Sequence, residues 1–522
     1  MKRETLFEPK LRFSEFTLRS ETGAPIRGLT PPPGGEQICS SAGGDPAAPD
    51  AADSDVASSD LGIWVESYNL GERAIVVGGG IGGLSAARAL SGRFRQVVIL
   101  DRDELPDGAT PRPGVPQGKH PHGLLAGGLN ALEQLFPDFG NQLVRAGAVP
   151  IDRGFDILYE IPGQDPWPRI KFDRPTYAIS RPSIELTLRR QVERLTNVKV
   201  QGGCRVLHII GESNTSAARG ISYRTPDGNV ETLHSDLIID ASGNGSLTLE
   251  FLRASGLKVP EETRIGVNIR YASALFDRAD IRDNYKFAYT FPNAPEESRG
   301  GLIIPAENKS YQVVLIGRGD DIPSINESEF RRYARKLWTP TLYNAIKNAK
   351  LLTNITPCSF TESRWRHFAQ VSDFPRGLLP VGDAICRFNP VYGQGMSVAA
   401  REASLLFDLL GRFDSDLLST LAPDFLTKAE KLIADPWAMS VMPDFIYPET
   451  TGVRPQDLQE RLNFQKGLGQ LAARDASVFQ LLIDVRNLVK PLTMLDDPSI
   501  VSRVEEEIRQ TSELSSAQVL IS

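Results

Sequence analysis

The sequence predicts an α/β chain: a parallel-sheet nucleotide-binding domain with an inserted antiparallel sheet and a helical C-terminal region. Three observations carry this. AIVVGGGIGG (residues 74–83) reads as a buried strand, a glycine loop and a helix start, and QVVIL (96–100) is a second apolar strand. Between residues 260 and 370, GVNIRYASALF, KFAYTF, GGLIIPA and SYQVVLIG alternate as half-buried antiparallel strands do. Far downstream, LLPVGD runs through a Gly/Pro-rich loop into the helical MSVAAREASLLFDLLGRF.

Composition bounds the rest. The 522 residues are 41% hydrophobic and 24% charged, enough for two or three packed domains. A net charge of −7 carries none of the basic footprint that nucleic-acid binding requires. Cys39, Cys204, Cys358 and Cys386 form no CxxC pair, so neither a disulfide framework nor a zinc site is expected. No apolar run is long enough to span a bilayer, and MKRETLFEPKLRFSEF lacks a signal-peptide core. A cytoplasmic protein is expected.

In chain order, residues 1–70 read as a disordered tail, because PPPGGEQICSSAGGDPAAPDAADSDVASSD has too little apolar surface to offset the entropy of ordering it. Residues 71–255 and 371–412 are assigned to the two parts of the nucleotide-binding domain, 256–370 to the inserted sheet and 413–522 to the helical region. Within the first part, GLLAGGLNALEQLF and residues 183–195 read as helices, and VKVQ, RVLHII, GISYRT and DLIID as strands. DPWAMSVMPDF and YPETTGVRP carry turn signals. VFQLLIDVRNLV suits helical core packing better than a membrane-surface or partner face.

The first glycine loop fits GxGxxG at Gly78, Gly80 and Gly83, between strand and helix, with Asp101 ending the next strand. Gly78 permits the tight turn, Gly80 the approach of a pyrophosphate and Gly83 close helix–strand packing. The helix start offers free N–H groups to phosphate, and Asp101 suits a ribose diol. This is a Rossmann-type fingerprint, and it does not distinguish FAD from NAD.

The second loop resolves that. FAD is long, and a distant strand returning to the same sheet can hold its ribityl chain and ring. In VGDAICRFNPVYGQGMSVAA, Asp383 suits a ribityl hydroxyl or, through water, the pyrophosphate side; Pro390 stiffens the bend, and Gly393 and Gly395 leave room for a flat ring. The following helix start favours an anionic reduced flavin.

GxGxxG with Asp101-Arg102, IIDASGNGS and GDAICRFNPVYGQGMSVA, in that order, resemble the class A flavoprotein monooxygenases of the para-hydroxybenzoate hydroxylase type over residues 73–410. The resemblance implies FAD at Gly78, Gly80, Gly83, Asp101, Arg102 and Asp383, and a ring loop of Pro390, Gly393, Gln394, Gly395 and Met396. It also implies that Arg112 and Arg181 lie on the FAD side, each with a surface role as alternative. Asp240-Ala241-Ser242-Gly243 departs from the GADG usual in the hydroxylases and is more like the epoxidase and halogenase-related branches. The halogenases' WxWxIP stretch is absent.

The resemblance further implies a monooxygenase using NADH or NADPH, which binds transiently because no second GxGxxG unit is present. The substrate expected is an apolar small molecule of secondary metabolism, epoxidised or hydroxylated. A reductase of isoprenoid double bonds, or a flavin carrier without turnover, are the alternatives. His120 and His122, with no acid or cysteine at ligand spacing, read as loop braces rather than metal ligands, with a place lining the flavin cavity as the alternative.

Overall fold

The computed structural model describes residues 70–212, 217–277, 285–412 and 416–521; the expected tail, with Cys39, lies outside them apart from Leu70. Gly71–Val77 and Phe94–Leu100 form the centre of a five-stranded parallel sheet. Val198–Gln201 flanks it on one side, Leu237–Asp240 and Leu378–Pro380 on the other. The last strand thus returns from far along the chain to the sheet that carries the glycine loop. These central strands are buried on both faces and read as continuous apolar runs. Ala74, Val76, Val97 and Ile99 face the helices, and Ile75, Val77, Val98 and Leu100 face an antiparallel meander of Arg205–Gly211, Ala218–Arg224 and Val230–His234.

The second sheet has seven strands. Its antiparallel body is Thr356–Arg366, Glu262–Asp277, Ser310–Arg318, Gly300–Ala306 and Phe287–Thr290. The expectation of a wholly antiparallel sheet within 260–370 needs correction. Ile157–Glu160, from before that span, joins parallel to Phe287–Thr290, and Cys386–Arg387 adds the other edge. Neither is readable locally, because short edge strands owe their geometry to their partners. One sheet face carries Ala272, Ala274, Val313 and Leu315 and is covered by Phe330, Leu337 and Leu342. On the other face, Val267, Ile269, Tyr271 and Val314 join the core that contains the first sheet's helices.

Two sequence expectations shift. The helix expected over 183–195 runs Arg181–Val192, because the Ser180 hydroxyl caps it and Pro182 is tolerated in a first turn. The turn expected at DPWAMSVMPDF is absent: one helix, Leu417–Asp444, passes through Pro436 and Pro443. Packing overrides the proline signal, since the wholly buried Trp437 sits on Trp365 with ring centres 5.6 Å apart. Beyond it, Leu458–Arg474, Ala476–Arg486 and Pro498–Ile521 build a separate cluster on Phe464, Phe479, Leu482 and Val504. VFQLLIDVRNLV is therefore mostly core. Among the described residues no helix is long and apolar enough to cross a membrane.

Truncating Trp437 to alanine removes the largest fully buried side chain of the core. A cost of about 3–5 kcal/mol is expected, read as an earlier denaturant midpoint; a midpoint within error of wild type would discount this packing.

Candidate functional site

The glycine loop is shaped by close approach. Gly78 has φ +106°, and a Cβ there would lie 2.4 Å from the Ala241 carbonyl oxygen. A Cβ on Gly83 would lie 1.9 Å from the Gly78 carbonyl oxygen. Neither position accepts a side chain without moving backbone. Above Gly80 the space is open, with Arg112 Nη2 the only neighbour, 4.0 Å away. Helix Ile81–Ser91 has no side-chain cap and no acid in its first turn, so its N–H groups stay available to an anion. The IIDASGNGS segment supports the loop from beside it. Asp240, buried, accepts the Ser242 hydroxyl at 2.6 Å and the Thr248 hydroxyl at 2.6 Å, fixing the turn that presents Ala241 to Gly78.

Asp101 and Arg112 meet at this loop. Asp101 Oδ2 accepts the Gly79 N–H at 2.6 Å, and its Oδ1 pairs with Arg112 Nη1 at 2.9 Å. The same guanidinium pairs with Asp103 at 2.9 Å and Glu185 at 2.6 Å, and all four side chains are largely shielded from solvent. Burial alone would lower the Arg112 pKa, but Glu185, Asp101 and Asp103 outweigh it and hold it raised. Arg112 is therefore no surface cation. Arg181, in the first turn of its helix, senses Glu185, Asp383 and Arg112, and its Nε is buried without a partner. Arg102 stands apart: it is exposed and donates to the Gly114 carbonyl at 3.2 Å.

The second loop lies beside the first. Helix Gly395–Leu410 packs on Ile81–Ser91, where a Cβ on Gly82 would touch that of Ala399 at 3.4 Å. Its start also lacks a side-chain cap and a first-turn acid. Two uncapped helix N-termini thus adjoin. Asp383 faces the second, 3.8 Å from where a Cβ on Gly395 would be. Burial raises the Asp383 pKa against the opposing pull of Arg181, Arg387 and Arg364. Gly393 is left-handed, φ +67°, and the buried Gln394 leaves Oε1 unpartnered. Pro390 is exposed, whereas Met396 turns into the main core.

Two buried acids, absent from the sequence reading, hold this loop. Glu402, wholly buried, accepts the Gly382 N–H at 2.5 Å, and its Oε1 has no partner. Burial pushes its carboxyl up to about 8; the Gly382 bond opposes this and Asp383 adds to it. Asp444, also wholly buried, ends helix Leu417–Asp444. It pairs with Arg318 at 2.5 Å and accepts Asn389 Nδ2 at 3.0 Å and the Tyr392 hydroxyl at 3.1 Å. The C-terminal region and the second sheet therefore both grip residues 389–392. Glu402 had a local signal, an acid four residues from both Val398 and Leu406 on the buried face of its helix; Asp444 had none.

The histidines brace their loop. His120 Nδ1 meets the Ser273 hydroxyl at 2.9 Å and its ring is edge-on to Tyr271, while His122 Nδ1 donates to the His120 carbonyl at 2.8 Å. Burial lowers their pKa values to about 4 and about 3, so both are neutral near pH 7. No metal-binding cluster occurs among the described residues. A surface hollow of about 680 Å³ beside Glu72, Arg95 and Lys199 opens at the opposite ends of the parallel strands from the glycine loop. Ligands of such sheets bind at the carboxyl ends, and this hollow lies at the amino ends.

A carboxyl with a raised native pKa keeps its proton when the unfolded chain has lost it, so its burden on stability grows as pH rises through that interval. Wild type should lose Tm between about pH 5 and 8 more steeply than Glu402→Gln, whose amide cannot ionise; equal slopes would clear Glu402. Asp444→Ala leaves Arg318 buried without its carboxylate and should cost about 3–5 kcal/mol, measured by denaturant titration.

Comparison with known proteins agrees with this geometry. Residues 73–164 match the family described as FAD dependent oxidoreductase, and residues 172–419 the FAD binding domain family. The chain is 30% identical over 395 residues to Protein Rv3254 of Mycobacterium tuberculosis, spanning 73% of this chain and 81% of that protein. Among solved structures, a flavoprotein/dehydrogenase from Cytophaga hutchinsonii superposes with a TM-score of 0.61 at 15% identity, covering 84% of this chain and 100% of that one. The p-nitrophenol 4-monooxygenase PnpA of Pseudomonas putida gives 0.57 at 16% identity, covering 80% and 99%. The flavin-dependent brominase Bmp2 gives 0.56 at 15%, covering 84% and 98%. At such identities the structures share the fold alone. With the two family matches, the curated relative and the paired loops, the chain belongs to the FAD-binding oxidoreductases and is an FAD-dependent oxidoreductase.

Proposed function

We propose that the protein inserts one oxygen atom of O₂ into an apolar, secondary-metabolite-type small molecule, as an epoxide or a hydroxyl, with NADH or NADPH as reductant. The observation that carries this reading is the pair of adjoining, uncapped helix starts, with an arginine pair at one loop and an aromatic sheet face near the other. The cradle fits FAD: the space over Gly80 is open, and Arg181 Nε and Gln394 Oε1 are buried without partners. When bound, FAD supplies the redox chemistry.

The protein's part is binding, orientation and exclusion of water. In this reading the N–H groups after Gly80 take the pyrophosphate, with Gly78 and Gly83 shaping the approach. Asp101 takes the ribose, Arg112 holds Asp101 in place, and Arg181 offsets phosphate charge. Arg102 would stay at the adenosine rim. Asp383 accepts a ribityl hydroxyl. Pro390, Gly393, Gln394, Gly395 and the N–H of Met396 border the ring, and Tyr271 and Tyr289 offer the substrate an aromatic wall. Neutral His120 and His122 keep the intervening loop closed without adding charge.

The test has two stages. FAD-loaded protein is mixed anaerobically with NADH or NADPH, and bleaching of the visible band is expected with one of them. Air is then admitted with candidate substrates, and uptake of ¹⁸O₂ into product is read by mass. Absence of bleaching with both nucleotides refutes the reading, and nucleotide oxidation without oxygen uptake would assign a reductase instead.

A further inference from the structure

Arg486 is a charged residue that the FAD-side groups leave unused. It ends helix Ala476–Arg486, where the negative end of the helix dipole favours a cation. Its guanidinium lies over the Trp167 ring, 5.1 Å from the centre. No hydrogen bond or ion pair engages it among the described residues, and the nearest acid along its helix, Asp484, is already paired with Arg153 at 3.5 Å and Lys490 at 3.6 Å. Its side chain is accessible, yet protein surrounds it enough that burial lowers its pKa, with Tyr159 and Tyr289 opposing. It therefore stands accessible at the edge of an aromatic cluster formed by Trp167, Tyr159 and Tyr289.

The neighbours of Arg486 are specific. Tyr159 and Tyr289 are register partners in adjacent parallel strands, so their side chains stand side by side on one sheet face. Tyr159 packs on Trp167 at 5.0 Å between ring centres, and Tyr289 on Phe291 at 4.0 Å. The Tyr289 hydroxyl reaches the Val391 carbonyl, in the second loop, at 3.5 Å. Residue 487 is tied to the same neighbourhood. The Asn487 carbonyl accepts the Gly127 N–H at 2.8 Å, and the nearby Leu125 N–H donates to Ser397 Oγ, on the helix that this loop opens, at 2.9 Å. Arg486 is separate from the pyrophosphate end, because Arg181 has Glu185, Asp383 and Arg112 for its charged neighbours instead.

We infer that Arg486, with the hydroxyl of Tyr159 beside it, is the substrate's anion-recognition site. It takes a carboxylate, enolate or phenolate oxygen on an otherwise apolar ring system and holds that ring against residues 389–395. Burial raises both phenols, Tyr159 to about 12, so they are O–H donors at neutral pH. The unpaired guanidinium and the Tyr159 donor form an acceptor-seeking set, while Tyr289, Trp167 and Phe291 line the apolar part. The inference rests on the proposed reading, in which substrate lies beside the second loop.

The probe is 2-naphthoate against its neutral counterpart 2-naphthamide, titrated into full-length FAD-loaded protein and followed by the flavin difference spectrum. Wild type is expected to bind the acid about ten- to a hundredfold more tightly than the amide. Arg486→Gln should abolish the preference, Arg486→Lys should retain part of it, and FAD content should be unchanged in both. Equal affinity in wild type, no binding of either probe, or a preference that survives Arg486→Gln overturns the inference. The acid–amide comparison in wild type stands even where a variant does not fold. Because the titration uses neither nucleotide nor oxygen, its outcome is independent of the oxygen-uptake test.

Discussion

A helix start leaves backbone N–H groups with no partner inside the helix, and burying them demands an acceptor from elsewhere. Here two such starts, at Ile81 and Gly395, lie against each other, with no acidic side chain in either first turn. The arrangement depends on small residues: Gly83 against the Gly78 carbonyl, and Gly82 against Ala399. Larger side chains at these contacts would separate the helices and divide the donors into two weak sites. In the proposed reading, a chain with net charge −7 holds a pyrophosphate because the donors are backbone groups backed by Arg112 and Arg181.

The charges around these donors follow one logic. Arg112 and Asp444 each have counter-charges and several hydrogen bonds, as low-dielectric surroundings require. Arg112 has three carboxylates and Asp444 has Arg318, Asn389 and Tyr392. Glu402 solves the problem differently, keeping its proton and spending one oxygen on the Gly382 N–H. Those arrangements hold the loops rigid at both ends of the cleft, which suits a cofactor whose two halves must be placed independently.

What could be read from sequence follows from range. The glycine loop was legible because Gly78, Gly80 and Gly83 fall in one short window, from the strand end at Val77 into the helix that starts at Ile81. The placement of Arg112 and Arg181 near the loops came through family resemblance rather than from pattern. Helix Arg181–Val192 begins two positions before the expected start because Ser180 caps it and Pro182 fits its first turn. The unbroken Leu417–Asp444 helix was illegible for the opposite reason: Trp437 packing on Trp365 decides it, and that partner is remote in sequence. Asp444 with Asn389 and Arg318, and Arg486 with Tyr159, are likewise products of tertiary folding, which no window of the chain contains.

The Asp444 junction has a thermodynamic corollary. Since one carboxylate is shared by the loop at 389–392 and the end of a long C-terminal helix, free energy gained by settling the loop is felt in the helix, and the exchange runs equally in reverse. Amide protons near Phe445 and Ile446 should therefore exchange more slowly once the yellow cofactor is seated, although no part of that segment needs to touch it. Conversely, a nick in the backbone between Pro448 and Arg454 would loosen the prosthetic group from behind, making the C-terminal arm a silent participant in cofactor retention.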